Sequence, residues 1–167
     1  HEYRGLNLSR PPMLTWASTS QEALEALHRK KFDLVITMPL VDDTHAYVLG
    51  RTIKQNFPDL PVFLLVHKTG QHLIDQRDCD REAIDRVYVW QGNSDLLLAL
   101  IKNLEDRLNV AFDTERARVR VIVLVEDAPV HYSSLLPILY KEIVTQTQAA
   151  MEESVNDEHR IFRMRAR

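Results

Sequence analysis

Short stretches that are apolar on both faces alternate along this chain with segments whose apolar residues recur at helical spacing. FDLVITMPL sets Leu34, Val35 and Ile36 in sequence between Asp33 and Pro39, and LPVFLLVHKTG and AIDRVYVWQGN repeat the pattern. A strand with one wet face alternates polar and apolar residues, so an unbroken run demands cover on both faces, as in a parallel sheet. The segments between supply that cover. SQEALEALHRKK carries Ala23, Leu24, Ala26 and Leu27 on one face, and Ala46, Leu49, Ile53 and Phe57 recur up to Pro58. SDLLLALIKNLEDRL has Ser94 as N-cap and a stripe of Leu97, Leu100, Ile101, Leu104 and Leu108. MLTWAST, after Pro11-Pro12, reads as a further strand that ends in a Ser/Thr helix cap. Only Gln71 to Arg81, polar and weakly periodic, resists assignment. Strand followed by helix, four times through Leu108, predicts an α/β fold: a doubly wound parallel sheet with helices on both faces.

A polar connector, residues 111–118, separates these units (1–110) from a tail, residues 119–167. The tail opens with VRVIVLVEDAP, a fifth apolar run that ends in Glu126 and Asp127. A helix is predicted from about Tyr132 to Met151, with Leu135, Leu136, Ile138, Leu139, Ile143 and Val144 on its apolar side. Pro137 falls one turn in and should kink or delimit it. Arg160, Arg163, Arg165 and Arg167 close the chain, a pattern typical of a solvated helix face.

Composition narrows the function classes. The 167 residues are 45% hydrophobic and 27% charged, enough for a real core in one domain of ordinary size with an extra segment. A net charge of −3 gives no bias toward nucleic acid or an anionic membrane. Cys79 is the single cysteine, which excludes an internal disulfide and a cysteine-rich zinc site. Four glycines argue against a glycine-rich phosphate loop. No apolar run approaches the roughly 20 residues that span a bilayer, and HEYRGLNLSRPP lacks the apolar stretch of a signal peptide. A cytoplasmic location is the expectation.

FDLVITMPL, an amphipathic helix and LPVFLLV together resemble the receiver domain of two-component response regulators, over roughly Met13 to Leu108. WQGNSDLLLALIKNLEDRLNV, VIVLVEDAPVHYSSLLPILYKEI and HRIFRMRAR together resemble the N-terminal regulatory region of bacterial proteins related to phosphoenolpyruvate synthase. The first resemblance implies a receiver/flavodoxin-like sheet of five strands. It also implies chemistry: two acids and an aspartate that bind magnesium, that aspartate accepting a phosphoryl group, and a Ser/Thr and a Lys answering its charge. Carried over position by position, the acceptor falls on Met38, the hydroxyl position on Val66 and the lysine position on Trp90. A thioether cannot be phosphorylated, valine has no hydroxyl, and indole offers one neutral donor.

The acidic pair survives out of place, as Glu126-Asp127 after the fifth strand. Two readings stay open. In one, Val119 begins a second receiver. In the other, residues 119–125 supply the missing central first strand, by permutation within one chain or by exchange between two chains. Open strand edges inside a sheet are costly, which favours completion.

Other candidate sites are weak against plain structural roles. Glu126-Asp127 could hold Mg2+, but two carboxylates without a third ligand make a poor site. Asp42-Asp43 suits a turn or a helix N-cap better than an acid site. His28, His45, His67, His72, His131 and His159 show no metal spacing, and Cys79 sits among charges of both signs. Trp16, Tyr88 and Trp90 suit core or edge packing. The expectation is therefore a non-catalytic pseudo-receiver, not an enzyme and without a cofactor. It would act as a regulatory or protein-interaction module attached to, or controlling, a phosphoenolpyruvate synthase-like enzyme. Its partners would be protein, a homodimer included, with neither nucleic acid nor membrane. The alternative is a phosphoryl-accepting receiver of a phosphorelay that uses Glu126, Asp127 and Mg2+, with Asp42 or Asp43, in an atypical pocket.

Overall fold

The structure, a computed structural model, describes residues 12–67, 82–115 and 121–165. The first helix, α1 (Ser20–Arg29), starts where the Ser/Thr cluster placed its cap. Thr19 Oγ1 accepts the Glu22 N–H at 3.1 Å, and the backbone and hydroxyl of Ser18 donate to Glu22 Oε2 at 2.8 and 2.7 Å. These reciprocal bonds satisfy helix-start donors that have no intrahelical partner. The Ser18 hydroxyl foremost, then its backbone N–H, hold the Glu22 carboxyl below its ordinary pKa.

Three parallel strands form the main sheet in the order β1 (Val35–Thr37), β4 (Val62–His67), β5 (Arg86–Trp90). Val35 pairs with Val62 and Phe63 with Arg86. A small hairpin, β2 (Leu40–Val41) with β3 (Thr44–His45), links β1 to α2 (Ala46–Asn56). The central strand β4 explains its own sequence. Val62, Leu64 and Val66 face one core with Leu27 of α1 and Ala46, Leu49 and Ile53 of α2. Phe63 and Leu65 face a second core with Tyr88, then Leu96, Ala99 and Leu100 of α3 (Asp95–Glu115), and Tyr132 and Leu136 of α4 (Pro129–Arg165). Burying each such side chain contributes about 1.5–3 kcal/mol. The α/β class and the parallel, receiver/flavodoxin-like winding hold: the observed order is that of the last three strands in the 2-1-3-4-5 sheet.

Several expectations need correction. MLTWAST forms no strand: residues 12–17 are irregular, with Met13 91%, Leu14 90% and Trp16 85% exposed. Alternation alone cannot make a strand where no neighbouring ladder accepts it. The sheet has three strands among the described residues, not five. Residues 121–128 are neither a central strand nor buried; Val121, Ile122, Val123 and Val125 are exposed, and only Leu124 packs against the second core. Residues 119 and 120 lie outside the described residues. Helix α3 continues to Glu115, into the stretch read as connector, and α4 starts at Pro129 and runs 37 residues with Pro137 inside it.

The geometry of the two long helices explains the missing fifth strand. Leu96 and Leu100 share a core with Tyr132 and Leu136, and one turn further on Asn103 Nδ2 donates to Tyr140 Oη at 3.4 Å. Positions on α3 and α4 rise together, so the helices run parallel. The intervening chain must then return the length of α3, about 31 Å. The segment between Glu115 and Pro129 would reach only about 20 Å as a helix, but about 43 Å when extended. Along this return, the VIVLV run pairs with no strand among the described residues.

Candidate functional site

The C-terminal edge of the sheet is where doubly wound folds place their ligands. Here that edge is stepped. Thr37, the last residue of β1, pairs with Leu64, while β4 and β5 run on to the pair His67 and Trp90. Met38 follows directly on β1 with half its surface exposed, and buried Thr37 donates its hydroxyl to the Met38 carbonyl at 3.2 Å. The chain then turns through Pro39 into the hairpin, which the Ala46 N–H closes by donating to the Pro39 carbonyl at 3.0 Å.

Asp42 and Asp43 form the hairpin tip, both exposed, with Asp42 in the left-handed region at φ 55°. Asp tolerates that conformation better than most residues. The tip is thus a turn. The residue that precedes α2 is His45, which makes no side-chain cap bond.

Val66 is fully buried in the first core, so its side chain does not face the edge; His67, one residue on, is the exposed end of β4. Trp90 is half-buried against the second core. Glu126 lies at the start of α4, where its Oε1 accepts the Ala128 N–H at 2.9 Å and stands 3.8 Å from His131 Nδ1. The carboxylate thus serves a helix N-terminus, where negative charge is stabilising. Asp127 beside it is exposed. Among the described residues, no group of three His, Cys, Asp or Glu side chains is arranged to hold a metal ion. Asp42, Asp43, Glu126 and Asp127 therefore make no three-ligand metal site. His28 packs its ring on Phe57 at 5.2 Å. His72 and Cys79 lie outside the described residues. No helix among the described residues is long and apolar enough to cross a membrane.

A different constellation runs along β5 to this edge. The Val89 N–H donates to Ser133 Oγ at 2.8 Å, and Gln91 Nε2 donates to Ser134 Oγ at 2.8 Å. The Arg86 guanidinium lies over the Tyr132 ring at 4.6 Å, an arrangement that aromatic faces favour. Sequence reasoning assigned α4 only an apolar face. The adjacent serines Ser133 and Ser134, set just before the apolar Leu135 and Leu136, were the signal that this end meets polar groups.

Tyr88 is buried beneath the constellation, 5.8 Å from Tyr132 between ring centres. Burial pushes its hydroxyl well above the ordinary tyrosine range, and nearby Tyr132 adds to the shift against a smaller opposing effect of Arg86. Tyr132 is close enough for that influence, yet the two fall outside hydrogen-bond geometry, and Tyr88 Oη meets no partner among the described residues. Burial likewise raises Tyr140.

No protein-family model matches the chain, and no curated protein sequence does. Among solved structures, it is similar to NtrX from Brucella abortus in complex with ADP, at 15% identity and a TM-score of 0.49. That overlap covers 65% of this chain and 24% of that one. A second NtrX crystal structure gives 18% identity and a TM-score of 0.48, covering 64% of this chain and 25% of the other. The chain thus spans about a quarter of the length of these structures.

Proposed function

We propose that this chain is a pseudo-receiver: a signalling-type α/β module that binds and regulates a protein partner without accepting phosphate. The observation that carries the reading is Met38. It stands directly after β1, at the half-exposed step of the sheet edge where a receiver's resemblance puts the acceptor carboxylate. Phosphoryl transfer works by positioning and charge neutralisation around a nucleophilic oxygen, and a thioether has none to give. Val66 and Trp90 support the same reading, one turned into the core and the other packed on it. The Val89–Ser133 and Gln91–Ser134 bonds are in keeping with a regulatory role, since they fix a long helix to the end of β5. Attachment to, or control of, a phosphoenolpyruvate synthase-like enzyme rests on the sequence resemblance alone.

The test is incubation of the full chain with acetyl phosphate and Mg2+, read by intact mass. No gain of a phosphoryl group is expected. A stoichiometric gain would overturn the pseudo-receiver reading in favour of an atypical phosphoryl acceptor built around Glu126 and Asp127.

A further inference from the structure

The two outer strands of the sheet are treated differently. Helix α4 covers the edge of β5, where Ser133 takes the Val89 N–H. On β1, the Val35 N–H donates inward to the Pro61 carbonyl at 2.9 Å, and Val35 and Thr37 are the residues whose backbones serve β4. Alternation then turns the N–H and C=O of Ile36 outward. No strand among the described residues pairs with that edge, and the side chains of Ile36 and Met38 are 40% and 50% exposed. The same chain holds the matching piece: Val121, Ile122, Val123 and Val125, exposed by 59 to 88%, in a run that pairs with no strand among the described residues.

We propose that the β1 edge is an interaction surface whose occupant is Val121–Val125 of a second copy, added as an antiparallel strand in a reciprocal, two-fold exchange. An unpaired edge and an exposed β-branched run are each an association hazard. Carried by one chain, they are complementary, and a two-fold axis uses both at once and closes the assembly. Main-chain bonds to Ile36 supply the attachment, and the covered branched side chains supply the apolar contact.

Ladder stability selects the orientation. An antiparallel strand brings its Glu126-Asp127 end toward exposed Asp33, with exposed Lys30 and Lys31 beyond it. A parallel strand would set the same acids against Asp42 and Asp43, beyond Met38. Like charges across strands are unfavourable but stand near the acids in either orientation, so the slightly greater stability of antiparallel ladders decides. The inference does not depend on the pseudo-receiver reading, because it uses backbone groups and apolar side chains only.

The test uses the full chain in sedimentation velocity over a range of concentrations. Ile36→Pro deletes the outward N–H and leaves the Val35 and Thr37 ladder to β4 intact; Val123→Lys alters the donated strand at an exposed position. The wild type should be a dimer, and each variant should weaken dimerisation about tenfold or more with unchanged circular dichroism. In a Cys79→Ser background, Met38→Cys copies mixed with Val121→Cys copies should form a mixed disulfide, and Met38→Cys with Val125→Cys should not. A monomer at every concentration would overturn the proposal. So would a dimer indifferent to Val123→Lys, or cross-linking of the Val125→Cys pair alone.

Discussion

The Val89 N–H ends on Ser133 Oγ, 2.8 Å away, and that hydroxyl donates in turn to the Pro129 carbonyl at 2.6 Å. A hydrogen bond that would otherwise belong to a neighbouring strand is thus made to a helix. The hydroxyl does both jobs because it can donate and accept at once.

Ser133→Ala should therefore leave a buried strand N–H without an acceptor. The expected loss is about 1–3 kcal/mol of unfolding free energy, measured by urea denaturation. A loss within error would mean that water reaches the Val89 N–H.

Gly50 lies mid-helix in α2, where Ala would ordinarily gain about 1 kcal/mol. A Cβ there would stand 2.5 Å from the Ala83 carbonyl oxygen. That close approach should dominate, making Gly50→Ala destabilising by about 1–2 kcal/mol. A raised melting temperature would contradict the packing of α2 on residue 83.

Asp85 Oδ2 accepts from both the Val62 N–H and Lys54 Nζ, each at 2.7 Å. Asp85→Ala should cost more than Lys54→Met, because only the first strands the N–H that opens β4. A difference of about 1 kcal/mol is expected from the lost backbone bond, and equal losses would show that the ion pair dominates.

Tyr88 and Tyr140 both have folded-state pKa values above the ordinary 10, chiefly through burial. Below pH 10 the proton is held in both folded and unfolded chains, and this contribution to stability is fully present. As pH rises past 10, the unfolded tyrosines ionise while the folded ones resist, so stability falls. Chemical denaturation at pH 8 to 11 should show a decline that is smaller in Tyr140→Phe.

Met38→Asp alone should not create a phosphoryl acceptor. Val66 and Trp90 still offer neither the hydroxyl nor the ammonium that the charged oxygens need. Robust labelling of this single variant by acetyl phosphate would show that other groups meet that need.

What the sequence disclosed depended on where the physics is local. The apolar run Val62–Val66 could be read as a strand covered on both faces because each of its residues is buried. Thr19 could be read as a cap because capping involves only the next three residues. The same logic misread VIVLV. Its composition is that of a buried strand, but its conformation follows from a non-local requirement, the return between two parallel helices. The meeting of Val89 with Ser133 was equally hidden, since it joins positions 44 residues apart. Asp42-Asp43 was legible as a turn; that Val66 faces inward was settled only by the register of β4.

Among the described side chains of α4, Tyr132, Leu136 and Tyr140 meet the core of the sheet, and the helix continues about 42 Å beyond Pro137. It is mechanically a lever with its fulcrum beside β5. A tilt of about 5° at that fulcrum would carry the far end about 3.7 Å over this length. A partner that shifts the Val89–Ser133 contact by a few tenths of an ångström would therefore be felt, amplified, at the distal end of the helix.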